Sequence, residues 1–183
     1  WTLDEQEKEG PDHERYVPGA DEDYAPPVDQ ARGWAYIRGS SNPREARATG
    51  TMTTGGVIVL LTGKAILNRQ SPRTLKNMAG RVDRGIRDGM AWIDRNWMMG
   101  HNPPRGGYAL MYIYGLERVG DLQRVPLIGG HDWYTEGAEW LVVRQAPTGY
   151  WRITDTHTPQ STINTCFALL FLEKATLAVT ASD

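Results

Sequence analysis

Apolar residues recur along this chain in two ways. Over residues 81–97, Val82, Ile86, Met90, Ile93 and Trp97 fall at steps of four, four, three and four, while Arg81, Asp83, Arg84, Arg87, Asp88, Asp94 and Arg95 fill the rest of the turn. That is the period of a helix with one buried stripe and one wet face. Residues 132–145 repeat it more loosely, with Trp133, Gly137, Trp140 and Leu141 on one stripe and Glu136 and Glu139 off it. Asp132 stands where a carboxylate caps the first free N–H groups of such a helix.

Residues 52–67, 108–119 and 165–179 behave differently, being apolar around most of the circumference. Such segments predict inner helices, buried on nearly all sides. The run at 57–61, "VIVLL", also fits a short strand by period alone, and its length and flanks favour helix. Gly55 and Gly56 then weaken that helix by about 1 kcal/mol each relative to Ala, which predicts another backbone packed closely there. A sixth helical segment is expected around residues 72–79.

Each inner segment follows a turn of related composition: "GWAY" at Gly33, "RGGY" at Arg105 and "TGYW" at Thr148. Glycine permits the tight turn, and the aromatic ring covers a helix end. Three weak copies of turn, inner helix and outer helix predict stacked helical hairpins, because no single hairpin buries its own apolar face. The predicted class is all-α. Residues 1–32 stand apart: they carry Pro11, Pro18, Pro26 and Pro27, no apolar period, and ten Asp or Glu against three Lys or Arg. They predict an acidic, extended N-terminal arm, with Tyr16, Val17, Tyr24 and Val28 as sparse anchors, ahead of a helical domain over 33–183.

The succession "GWAY…TMTTGGVIVLL", "GGYALMYIYGLERVG", "HDWYTEGAEWLVVRQAPTGYW" and "NTCFALLFLEKA" resembles the repeats of squalene-hopene cyclases and protein prenyltransferase β-subunits, the terpenoid-cyclase-like α/α toroids. The resemblance spans roughly residues 33–179 and implies an inner and an outer ring of helices, braced by the glycine–aromatic turns. With five helices and a sixth segment, the chain would form a partial toroid, an arc closed by the arm, by self-association or by a larger parent chain. The family's catalytic motifs are not matched. No Asp-x-Asp-Asp string is present, and Asp4-Glu5 and Asp21-Glu22-Asp23 lie in the arm. At the position of the family's Asp-x-Cys zinc pair stands Asn164-Thr165-Cys166, a neutral amide in place of the carboxylate. On the residues alone, Cys166 begins a buried helix, Asn164 or Thr162 caps it, and neither metal nor cofactor is expected.

Charge and chemistry narrow the function further. The net charge of −2 supplies no field that recruits nucleic acid, and one cysteine excludes an internal disulfide. No run of about 18 uncharged apolar residues crosses a membrane, the nearest being 166–179. The chain opens at Trp1 without a methionine, which reads as a processed or excised form and leaves room for an upstream signal peptide. No nucleophile elbow, Walker loop or dinucleotide fingerprint is present. His131, Asp132, Asp155 and His157 are candidate acid–base groups, and His101 lies in a Pro/Gly turn. Arg105, beside two glycines at a helix start, is a candidate anion binder. Tyr108, Tyr112, Trp133 and Trp151, with Tyr114, would line a concave groove for an apolar or glycan-like ligand if they do not form core. The expected function is a binding or assembly module and not an enzyme. The alternative is a divergent enzyme on prenyl, terpenoid or polysaccharide substrates.

Overall fold

The computed structural model describes residues 2–104, 106–153 and 161–180, with side chains through residue 173. In chain order the elements are α1 (Thr2–Glu5), β1 (Asp12–Glu14), β2 (Val28–Gln30), α2 (Pro43–Ala46), α3 (Gly50–Gln70), α4 (Pro72–Arg95), α5 (Ala109–Gln123), α6 (Trp133–Arg144) and α7 (Ser161–Thr180). The protein is mostly helical, and the five long helices cover the five periodic segments. The segment expected at 72–79 is the start of α4, which runs on without a break. Ser71 and Pro72 divide α3 from α4: proline has no N–H to lose in a first helical turn.

Helix ends are closed locally. The Thr49 side chain accepts the Met52 N–H of α3, and Asn102 reaches across from a loop to accept the Thr51 N–H at 2.9 Å. Asp132 caps α6 by accepting the Thr135 N–H at 3.0 Å, as its position predicts. α7 begins earlier than expected. Its first residue is Ser161, so Asn164 is no cap; its amide donates instead to the Ile153 carbonyl. Cys166 is exposed, which corrects the expectation of a small buried hydrophobe.

α3, α5 and α7 lie in a row, with α5 touching the other two. α4 packs on α3, and α6 packs on α5 and α7. The members of this row are the three segments that are apolar all round, but only α5 is buried as such a pattern predicts. Its Leu110, Tyr112, Ile113, Leu116 and Val119 form the centre of the core, with Val57, Ile93, Leu141 and Phe171 around them. α3 is buried only over its first half, at Thr53, Thr54, Gly56, Val57 and Leu60. It is the one described helix long and apolar enough to cross a membrane, a length test that core helices also pass, and a membrane span is not indicated.

Close approach is achieved by side chains meeting glycine. A Cβ on Gly115 of α5 would collide with Thr54 of α3, and one on Gly137 of α6 would collide with Phe171 of α7. Gly56 does the same for Trp34, so the partner expected at Gly55–Gly56 is an indole and not a second backbone; Gly55 meets nothing.

The arm is ordered by packing rather than by its own propensity. β1 and β2 pair antiparallel, with His13 opposite Asp29, and both lie against α4. Polar contacts fix it. Gln6 donates to the Arg32 and Gly85 carbonyls, each at 3.0 Å; Arg32 ion-pairs with buried Asp88; and the Trp34 indole donates to the Thr2 carbonyl at 2.8 Å. Residues 2–32 thus share the core of the helical body, through buried Gln6 and Ala31.

Candidate functional site

The aromatic candidates separate by burial. Tyr112, Trp133 and Trp151 are 0%, 2% and 1% exposed, so they fill the core and line no open groove. Their polar atoms, where paired, are paired internally: the Trp133 indole donates to the Val125 carbonyl at 2.9 Å and the Trp151 indole to the Leu141 carbonyl at 2.8 Å. The physical reason is size, since a ring of this area stabilises most when it is fully withdrawn from water. Tyr108 differs. It is 60% exposed and holds φ at 58°, a left-handed conformation costing about 1 kcal/mol for a residue with a Cβ. Tyr114 packs on Phe167, with ring centroids 5.5 Å apart.

Two of the acid–base candidates, His131 and Asp132, lie among the described residues, and each is engaged in a pair of its own. His131 stacks on Trp97 at 4.4 Å, and its Nδ1 lies 3.0 Å from Glu136 Oε1. The other oxygen of Glu136 accepts the Trp97 indole N–H at 2.9 Å. Both oxygens of Glu136 are therefore engaged in a brace between the end of α4 and the start of α6. Asp132, next in sequence to His131, turns away to Thr135 and holds its N–H and hydroxyl. Asp155, His157 and Arg105 lie outside the described residues. His101 is exposed in its turn. Among the described residues no group of His, Cys, Asp and Glu is placed to hold a metal ion.

The glycine–aromatic turn before α7 closes as a small unit. Gln145 donates to the Gly149 carbonyl at 2.9 Å, Trp151 pairs with Gln145 as an isolated bridge, and the Trp151 N–H reaches Thr165 at 3.1 Å. Gln6 pairs with Trp34 in the same manner at the other end of the chain. No common spacing marks the glutamine, since Gln145 and Gln6 stand at different distances along the chain from Trp151 and Trp34.

A cavity of about 340 Å³ opens between the N-terminal hairpin, α4 and the connection from α5 to α6. His13 and Asp94 meet on its wall at 2.7 Å, and Asp29 accepts two hydrogen bonds from Arg15, at 2.8 and 2.9 Å. These bonds push the Arg15 pKa further up, against the opposing effect of burial. Periodicity gave no hint of this site, because its polar residues come from the arm, from one face of α4 and from the end of α5.

A second exposed feature is aliphatic. Ile163, Leu169 and Leu170 of α7 are exposed with Cys166, at spacings that share one side of a helix. Met111 and Leu122 of α5, Val59 and Ile66 of α3, and Val142 and Val143 of α6 are exposed as well. Comparison with protein-family models, with curated proteins and with solved structures finds no match.

Proposed function

We propose that this chain is a binding or assembly module built from terpenoid-cyclase-like helical hairpins as a partial α/α toroid, and that it self-associates through the outer side of α7. The single observation that carries this reading is the exposed stripe of Ile163, Leu169 and Leu170 on the last helix of the row. α5 lies between two neighbours, α3 and α7, and α7 meets α5 and α6 while keeping an aliphatic side uncovered. A second copy of the chain would extend the row by the packing already used inside it, and would remove that side from water. The contact surface is aliphatic and not aromatic, since Tyr112, Trp133 and Trp151 are core. The dispersal of His131 and Asp132 into separate structural pairs supports a module without catalysis; the enzymatic alternative then rests on Asp155 and His157 alone.

Sedimentation equilibrium tests the reading. The expected result is a reversible dimer with a Kd of about 1–100 µM. Leu169→Glu combined with Leu170→Lys is expected to leave the helical circular dichroism and melting unchanged while abolishing the dimer. A native chain that stays monomeric through that range, or a double variant that still dimerises, would overturn it.

A further inference from the structure

The cavity behind the hairpin has the composition of a small-ligand site. Its floor is aliphatic, formed by Ile86, Met90 and Ala91 from α4 and by Val125, Leu127 and Ile128 from the following connection. Its volume of about 340 Å³ lies at the small end of the range for such sites. Its rim is charged and incompletely paired. Arg15 occupies both oxygens of Asp29 through Nε and Nη2, so Asp29 is already neutralised when Arg87 reaches it with Nε at 3.4 Å. The terminal nitrogens of Arg87 hydrogen-bond to nothing among the described residues. Asp94, the other carboxylate of the wall, is taken by His13. Gln123 lines the same cavity, and its Nε2 is buried with no acceptor among the described residues.

We propose that this cavity binds a small amphiphilic carboxylate, its aliphatic chain on the floor and its head group at Arg87. A planar guanidinium with free N–H groups matches a carboxylate's two oxygens. The Gln123 amide, by turning about its last torsion, supplies a further N–H to the head group and gains the acceptor it lacks. The floor favours the chain: its side chains are apolar, so a fully hydrophilic anion would lose hydration on entry with no gain from them. Tyr16, whose ring lies against Gly130, lines the cavity from the hairpin side.

Titration calorimetry of the chain with octanoate, octanol and acetate tests the assignment. Octanoate is expected to bind with a Kd of about 1 mM or tighter, and octanol at least about tenfold more weakly. Acetate, lacking the chain, is expected to give no saturable heat. Arg87→Gln should weaken octanoate about tenfold and leave octanol unchanged, because the residue contributes only the ion pair. Leu127→Trp should fill the floor and weaken both. Thermal melting checks the fold of each variant; should Leu127→Trp unfold, Arg87→Gln, on a wet face of α4, carries the test alone. No octanoate binding, equal binding of octanol, or binding indifferent to Arg87→Gln each overturns the proposal. The α7 double variant keeps octanoate binding, so the fate of this site is read separately from self-association.

Discussion

Tyr112 is fully buried near the start of α5, and its hydroxyl finds no hydrogen-bond partner among the described residues. An unsatisfied buried hydroxyl costs about 1–3 kcal/mol, so Tyr112→Phe is expected to raise stability by about 1 kcal/mol in urea denaturation, with the ring's packing retained. The same burial pushes the phenol pKa above its ordinary value of 10.0. The unfolded chain therefore loses this proton first. Stability is complete below pH 10 and falls as the pH rises past it, and the phenylalanine variant should lose that part of the alkaline decline. Sequence alone placed Tyr112 on an apolar helix but not in the core. A tyrosine on such a helix serves equally as a groove wall or as core, and only the neighbours decide which.

Glycines within the helices play opposite parts that no local rule separates. Gly115 faces Thr54 across the α3–α5 contact, whereas Gly63, late in α3, has nothing near the position of a Cβ. Gly115→Ala is expected to destabilise by about 1–3 kcal/mol, because the added methyl forces the two helices apart. Gly63→Ala is expected to stabilise by up to about 1 kcal/mol, the ordinary gain in helix propensity. Chemical denaturation of the two variants side by side checks both signs; a shared sign would show that the α3–α5 contact relaxes freely. The helices themselves were legible from periodicity, and the Asp132 cap from its position. The depth of each helix was not: α3, α5 and α7 share one apolar pattern, yet only the helix in the middle of the row is covered on most sides.

Across the whole molecule, ion pairs tie the N-terminal arm to the helical body, and the most buried of those described is that of Asp88. Asp88 is 3% exposed, pairs with Arg32, and accepts the Gln30 N–H at 3.2 Å. Removing one partner of a buried pair strands the other's charge at a cost of about 3–5 kcal/mol. Asp88→Asn is therefore expected to lower stability by about 3 kcal/mol and to admit proteases between residues 7 and 32, seen by mass spectrometry of the fragments. Cleavage as slow as in the native chain would mean that Gln6 and Trp34 hold the arm without it. The acidic composition of residues 1–32 read as a solvated arm because that segment has no apolar period. It is ordered nonetheless, since α4 supplies the buried surface that the segment lacks and charged partners for its side chains of both signs, Asp88 for Arg32 and Arg87 for Asp29.

By itself the sequence determined which segments are helical, where the chain turns, and that successive helices must stack, because these follow from spacings of a few residues along one chain. Tertiary structure alone decided which aromatic rings are core, which aliphatic stripes stay wet, and that His13, Asp29, Arg87 and Gln123 meet around one cavity. Those outcomes depend on residues up to 110 positions apart being brought within contact. No pattern within a single element encodes such distances.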